Sequence, residues 1–366
     1  GDAMESCAYC RLQDRTCAEP STLQLVENNE KKTRGRTVIT IKWLNKSTGF
    51  TFTHLMIALI CSALLLPSCG QAEGANSQDT IAEASKGLKM RSIGPALMGG
   101  RIADIAVHPL DENLWYVAVA SGGVWKTTNA GVTWTAVFDD QPSYSIADVT
   151  IDPNNPDVVW VGTGENVSGR HVGWGDGVYK SMDAGKTWAN MGLGKSEHIG
   201  KILVDPRDSN VVFVAAEGPL WTAGGDRGLY RSDDGGASWQ HVLEIDEDTG
   251  ITDVEFNPAN PDVLYAAAYQ RRRHVWGLMA GGPNGGIHKS IDGGKTLRKL
   301  DTGLPEGDVG KIGLAVTAAD PGLVYATIEA DDDNKGFYRS GDQGESWTKM
   351  NDYISGGTGP HYSQEL

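Results

Sequence analysis

One short pattern recurs at nearly constant intervals and limits what this chain can fold into. It reads TTNAGVTW from Thr127, SMDAGKTW from Ser181, SDDGGASW from Ser232, SIDGGKTL from Ser290 and SGDQGESW from Ser340. The third positions are Asn129, Asp183, Asp234, Asp292 and Asp342, separated by 54, 51, 58 and 50 residues. A period in this range marks a repeat architecture, in which each unit buries its apolar face against the next. Length alone, at 366 residues, suggests two or three domains. The period replaces that expectation with one array.

A second pattern keeps the same interval. IADIAVHP starts at Ile102, IADVTIDP at Ile146, IGKILVDP at Ile199 and ITDVEFNP at Ile251, with a looser KIGLAVTAADP from Lys311. Each alternates apolar and polar residues and breaks at a proline, as a strand entering a turn does. Apolar runs follow: LWYVAVA, VVWVGTG, VVFVAAEG, VLYAAAY and LVYATIE. They read as strands buried on both faces. Next come GVWKT, GVYKS, GLYRS, GIHKS and GFYRS, then the boxed turn, then a last strand from its Trp. Four antiparallel strands in about 50 residues describe a propeller blade. The expected fold is therefore all-β, a beta-propeller of four-stranded antiparallel blades. Five blades are visible, and GPHYSQEL at the end reads as the first strand of a sixth. With 47 Gly and 11 Trp, the composition suits many short strands joined by tight turns.

The box itself reads as a structural device. Its Gly suits a backbone with φ > 0. Its Asp can accept N–H groups of its own turn. Trp134, Trp188, Trp239 and Trp347 close the boxes and are expected to pack between neighbouring sheets, whereas Leu297 stands in the fourth copy. One Asp per blade converges on no common pocket, and it falls far short of the 6–8 oxygens that calcium takes. No metal and no cofactor are expected.

The pattern S/T-x-D/N-x-G-x-T/S-W resembles the Asp-box (BNR) repeat, from about Lys89 to Leu366. That repeat occurs in sialidases, xyloglucanases, the sortilin ectodomain and a photosystem II assembly factor. The stretches GGVWKTTNAGVTW, GTGE, WGDGVYKS and GGIHKSIDGGKT are most similar to exported bacterial proteins with sortilin-type or xyloglucanase-like propellers. Such families close with seven or more blades, often as tandem propellers, so the resemblance implies that 89–366 is a partial propeller. Sialidases carry an Arg triad, an early Arg-Ile-Pro and a Tyr–Glu pair; here Arg101-Ile102 is followed by Ala103. Xyloglucanases place a catalytic Asp just before a Gly-Gly; the matching positions are Ala120 and Ser121. Neither can act as a general acid or base, and glycosidases need two carboxylates.

No catalytic residue is assigned on these grounds. The leading expectation is a binding or scaffold module for a glycan or a protein ligand. The alternative is a glycoside hydrolase acting on a polysaccharide. Ligand-binding candidates are Arg101 near the axis and the loops that follow second strands. GTGENVSGRHVGWGDG, 162–177, holds Glu165, Arg170, His171, Trp174 and Asp176. QRRRHVWG, 270–277, holds Arg271, Arg272, Arg273 and Trp276. Glu217 follows the second strand of the third unit. All should emerge on one propeller face, where Trp rings can stack on sugars and Arg can pair with carboxylates. His198 and the acidic ADDDNKG, 330–336, read as turn elements.

The formal net charge of −15 argues against nucleic acid and anionic membrane surfaces as partners. Cys7, Cys10, Cys17, Cys61 and Cys69 all precede residue 70, so the repeats have no disulfide or thiolate site, and Cys7, Cys10 and Cys17 fall short of four zinc ligands. The apolar core Leu55–Leu66 is 12 residues, too short to span a bilayer but suited to an export signal. Leu66-Pro67-Ser68-Cys69 resembles a bacterial lipobox, which implies acylation at Cys69 and attachment to a membrane through that lipid alone. The expected organisation is a non-globular extension over 1–37, a signal over 38–69, a flexible tether over 70–88 and the propeller beyond. The expected location is the bacterial cell envelope or the extracellular space.

Overall fold

The computed structural model of the chain describes residues 100–354. The extension, the signal, Cys69, the tether and GPHYSQEL lie outside the described residues. The described part is a β-propeller array of five antiparallel blades. Blade 1 comprises β1 (Ile102–Val107), β2 (Trp115–Val119), β3 (Gly123–Thr127) and β4 (Thr135–Ala136). Blade 2 comprises β5 (Ile146–Ile151), β6 (Val159–Thr163), β7 (Val178–Ser181) and β8 (Ala189–Asn190). Blade 3 comprises β9 (Ile199–Asp205), β10 (Asp208–Ala216), β11 (Gly228–Ser232) and β12 (Gln240–Leu243). Blade 4 comprises β13 (Thr249–Phe256), β14 (Leu264–Arg273), β16 (Gly286–Ser290) and β17 (Arg298–Lys299), with β15 (Leu278–Ala280) paired to the far end of β14. Blade 5 comprises β18 (Ile312–Val316), β19 (Val324–Ile328), β20 (Gly336–Ser340) and β21 (Thr348–Asn351).

The core is a set of apolar layers between blades. Tyr116 and Ala118 of blade 1 meet Ile146 and Val161 of blade 2. Trp160 meets Ile202 and Val214; Phe213 meets Leu264 and Ala266; Tyr265 meets Val324 and Ala326. This explains why second strands are apolar on both faces: each covers two neighbours.

The boxed turn joins the third and fourth strands. Asp183 Oδ1 accepts the Thr187 N–H at 2.8 Å and the Ser181 hydroxyl at 2.8 Å, and Oδ2 accepts the Thr187 hydroxyl at 2.7 Å. These donors, the Thr187 hydroxyl foremost, hold the Asp183 carboxyl down at about 2. Trp188 Nε1 donates to the Val137 carbonyl of blade 1 at 2.7 Å, and Trp239 Nε1 to the Met191 carbonyl of blade 2 at 2.8 Å. Leu297 packs into the layer between blades 3 and 4 without such a bond.

The box is also a socket for the preceding blade. In every blade an aromatic residue of the second strand stands directly opposite a Lys or Arg of the third: Tyr116 and Lys126, Trp160 and Lys180, Phe213 and Arg231, Tyr265 and Lys289, Tyr325 and Arg339. In the first four blades the cation lies 4.7–6.0 Å from the ring centre. Three of these cations donate to a carbonyl in the next blade's box: Lys126 to Ala184 at 2.9 Å, Lys180 to Gly235 at 2.9 Å and Arg231 to Gly293 at 3.0 Å. Lys289 instead meets Glu345 Oε1 at 2.7 Å. The ring sits under the box glycine. A Cβ on Gly236 would lie 2.6 Å from Trp160, and one on Gly294 2.2 Å from Phe213. The glycine thus supplies both φ > 0 and room for a neighbour's ring.

The innermost strands add a clasp. In blades 1–4 the register slips by one residue after the opening Ile, and the next charged residue reaches toward the following blade. Asp104 Oδ2 accepts the Val149 N–H at 3.1 Å, and Asp253 Oδ2 accepts the Leu314 N–H at 2.9 Å. Lys201 occupies this place in blade 3 and pairs with Asp253 at 3.1 Å and with Glu255. These groups line an axial cavity of about 220 Å3, together with Asp148 and Lys311. Burial, and then the Asp104 charge, push the Asp148 carboxyl well up.

Candidate functional site

Chain direction places the candidate residues. Second strands end, and third strands begin, on the face opposite the boxes, so the 2–3 loops of successive blades share that face. In blade 2 the connection divides into two parts. Glu165, Val167 and Ser168 are buried, whereas Arg170, His171 and Trp174 are exposed.

The buried part is gripped from four other blades. Arg101 of blade 1 pairs with the Glu165 carboxylate. His198, at the entry to blade 3, donates from Nδ1 to the Glu165 carbonyl at 2.8 Å. Lys311 at the entry to blade 5 donates to the Asn166 carbonyl at 2.9 Å. From blade 4, Arg271 Nη1 donates to the Val167 carbonyl at 3.2 Å and Arg273 Nε to the Ser168 carbonyl at 3.0 Å. A four-residue segment with almost no core of its own is thereby fixed over the axial cavity, which Asn166 and Lys311 also line. Gly164 makes the entry possible: at φ +84, a Cβ there would lie 1.8 Å from the Glu197 carbonyl.

Glu217 and Arg271 form an ion pair with 2.7 Å between Oε2 and Nη1, each side chain 1% exposed. That approach is outside hydrogen-bond geometry, and both Glu217 oxygens and Arg271 Nε are buried without a hydrogen-bond partner among the described residues. Burial, and then the charges of Arg271 and Arg227, push the nearby His198 well below its ordinary value, so the ring is neutral at pH 7. Arg272 lies 3.2 Å from Asp248. Asp176 accepts the Tyr179 hydroxyl at 2.6 Å. Burial first, and this bond next, raise the Tyr179 phenol to about 12.

The structure therefore sorts the candidates. Arg101, Glu165, Glu217, Arg271 and Arg273 meet around the buried segment. Asp176 and Arg272 are engaged nearby. Arg170, His171, Trp174 and Trp276 present themselves to solvent. QRRRHVWG, read as a loop, is in large part strand: β14 runs to Arg273 and returns through β15, so only the hairpin tip projects. Trp276 at that tip stacks on His274 with ring centres 4.7 Å apart. Trp174 is 72% and Trp276 85% exposed. Sequence reasoning missed Trp221, 42% exposed, in the corresponding connection of blade 3. The signal was a Trp within the polar, Gly-rich run PLWTAGGDRG directly after a second strand. Blades 2, 3 and 4 thus each offer one exposed indole on this face. Ala120, at the place of the resemblance's Asp, is buried, and Ser121 is exposed. Among the described residues no group of three or more His, Cys, Asp or Glu is placed to hold a metal ion.

No family model matches the chain. An oligoxyloglucan-reducing end-specific xyloglucanase of Emericella nidulans is 26% identical over 216 residues, covering 54% of this chain and 24% of that protein. A xyloglucanase of Acetivibrio thermocellus is 26% identical over 239 residues, covering 57% of this chain and 27% of that protein. Among solved structures, an ancestral GH74 enzyme superposes with a TM-score of 0.51 at 19% identity, covering 70% of this chain and 34% of that one. This likeness is one of fold: a β-propeller. The chain spans about a quarter of the length of these two curated relatives.

Proposed function

We propose that this protein is an exported, polysaccharide-directed propeller of the glycoside hydrolase kind, with a xyloglucan-like β-glucan as its substrate class. The observation that carries the reading is the set of indoles Trp174, Trp221 and Trp276, one from each of three successive blades on a single face. A flat sugar ring turns its C–H face toward the electron-rich face of an indole. A chain of sugars needs such platforms at intervals, and successive blades supply them. The similarity to xyloglucanases supports the same ligand chemistry. Arg170 and His171, exposed beside Trp174, offer hydrogen bonds to hydroxyl groups. The boxed turns are, in this reading, Asp-box repeats. Export with a lipid on Cys69 belongs to the same proposal, and loss of fatty-acid labelling in Cys69→Ala checks that part.

A second reading, binding without hydrolysis, is favoured by Ala120 and Ser121, which put no carboxylate where xyloglucanases are expected to carry one. The deciding experiment measures reducing-sugar release from xyloglucan and retardation in xyloglucan-containing gels. Wild type is compared with Trp174→Ala combined with Trp276→Ala. Release of sugar that the double variant loses supports hydrolysis. Retardation without release, lost in the double variant, supports the binding module. Retardation unchanged by the double variant removes the indole face from both readings.

A further inference from the structure

One residue position recurs at the mouth of the axis on the loop face. It is the residue just before the opening Ile of each blade: Arg101, Ser145, His198, Gly250 and Lys311. All but Gly250 hold the buried segment 165–168. Arg101 pairs with the Glu165 carboxylate, and Lys311 donates to the Asn166 carbonyl at 2.9 Å. Ser145 Oγ accepts the Glu165 N–H at 3.0 Å, and His198 Nδ1 donates to the Glu165 carbonyl at 2.8 Å. Gly250 stands apart because a Cβ there would lie 2.3 Å from the Glu217 carbonyl. Of these holders, His198 alone changes its charge near neutral pH.

Backbone bonds fix where the His198 ring sits. Its carbonyl accepts the Ser196 hydroxyl at 2.6 Å and the Glu217 N–H at 3.0 Å, and the residue is buried. Arg271 of blade 4 and Arg227, at the entry to β11, face it with buried guanidiniums. Glu217 already pairs with Arg271, and Glu165 with Arg101. Glu197, beside His198 in the chain, is half-buried and feels both guanidiniums, though burial dominates and raises its carboxyl. With Nδ1–H committed to the Glu165 carbonyl, a proton can add only at Nε2. It would place a third cation beside Arg227 and Arg271.

We propose that segment 165–168 is a pH-sensitive latch set by His198, closed at neutral pH and released in acid. We assign it control of how the blade 2 connection, which continues from Ser168 to the exposed Trp174, meets a glycan; that part rests on the polysaccharide reading above. In the closed latch the ring stays neutral. Once open, it protonates near the ordinary histidine value of about 6.5. Each pH unit below that value favours opening about tenfold, so opening rises about thirtyfold between about pH 7.5 and pH 5. Glu197, and Glu329 at the Lys311 N–H, are raised by burial. They bind protons more readily in the closed form and so carry the opposite sign. A rise in opening over this range therefore belongs to His198.

Hydrogen exchange of the full chain, read as amide protection over 164–168 at those two pH values, tests the latch without any glycan. Wild type is expected to lose about thirtyfold in protection. The Gly185 and Thr187 amides of the blade 2 box, held by Ser181 and Asp183 at 2.8 Å each, are expected to keep theirs. His198→Gln keeps an N–H donor but does not titrate, so its protection is expected to be equal at both pH values. Arg101→Gln removes a partly exposed anchor and keeps His198. It is expected to be less protected throughout, with the wild-type slope, and it carries the test if His198→Gln does not fold. Constant protection in wild type overturns the latch, as does a slope that survives His198→Gln or one that is lost in Arg101→Gln. Retardation in xyloglucan gels at the same two pH values reads the link to Trp174. It is expected to weaken in acid for wild type and to stay constant for His198→Gln. Constant wild-type retardation while protection falls overturns that link, as does equal weakening in both proteins. Absence of retardation at either pH tells against the polysaccharide reading, and exchange alone then supports or overturns the latch.

Discussion

Lys180 Nζ stands 4.7 Å above the Trp160 ring and donates to the Gly235 carbonyl of the following blade at 2.9 Å. Trp160 is fully buried between that cation and the glycine beside Gly235. A ring, a charge and a turn from two blades are thereby locked in a single contact. Gly236 is where the lock is least forgiving. Gly236→Ala places a methyl 2.6 Å from the ring at φ +90; Gly131→Ala imposes a similar φ of +85 but meets its nearest ring atom at 3.5 Å. Both substitutions carry the backbone cost, about 1 kcal/mol. Only the first adds overpacking of about 1–3 kcal/mol. Urea unfolding of the two variants should therefore differ by that amount, with Gly236→Ala the less stable. Equal losses would remove the ring from the account of this glycine.

The boxes predict an acid limb. Asp183, Asp234, Asp292 and Asp342 are each held at about 2 by hydroxyl and N–H donors of their own turns, the hydroxyl of Thr or Ser being the largest cause. Their folded values lie below the ordinary carboxylate value near 4, so the stabilisation is fully present above about pH 4 and fades as pH falls through about 2. Asn129 closes the blade 1 box without a charge, accepting the Thr133 N–H at 2.9 Å. Asp183→Asn should therefore fold, should be less stable than wild type at pH 7, and should lose that deficit between about pH 4 and pH 2. Thermal melts at a series of pH values read this directly. A deficit independent of pH would mean that the carboxylate charge contributes nothing.

Period, strand order and the five described blades were legible because the box repeats five times and the Pro-turn recurs beside it, once in a looser form. The contact that joins blades was visible too, but unread: Lys126, Lys180, Arg231, Lys289 and Arg339 recur one residue before the Ser or Thr of every box. A lone cation on a strand ordinarily signals solvent, and only register shows that each faces an aromatic ring. The axial clasp escaped for a related reason. Asp104, Asp148 and Asp253 sit at positions that strict alternation assigns to one face, and the bulge after the opening Ile re-aims them. On the loop face, residue type flagged Glu165, Glu217 and Arg271, but not their burial. Glycine-rich connections carry no hydrophobic period from which inside and outside can be told. Trp221 lies in such a connection too, PLWTAGGDRG, where no period marks it as exposed.

Asp148 has the opposite pH sign to the boxes. Burial, then the Asp104 charge, raise its carboxyl. A raised acid binds protons in the folded state that the unfolded chain has released, so stability falls as pH rises from about 4 toward the folded value. Asp148→Asn is neutral at every pH. Its melting temperature relative to wild type should thus be higher at pH 7 than at pH 4, whatever the cost of altering the Thr150 hydroxyl bond, 3.1 Å in wild type. A constant difference across that range would show Asp148 to be ionised at no net cost.

The Glu217–Arg271 pair, with both side chains 1% exposed, gives the severest expectation. Arg271 also holds the Val167 and Gly218 carbonyls at 3.2 Å each, so it ties the buried blade 2 segment to blades 3 and 4. Arg271→Met keeps the volume and removes the charge, leaving Glu217 buried without its counter-ion, a loss of about 3–5 kcal/mol. Adding Glu217→Gln removes that stranded charge but not the orphaned carbonyls. The double variant should therefore recover a part of the loss, in the range of about 1–3 kcal/mol, and not all of it. Urea unfolding of the two single variants and the double measures the coupling. Full additivity would mean that the two charges stabilise independently, and the pair would then not be what pins this segment over the axis.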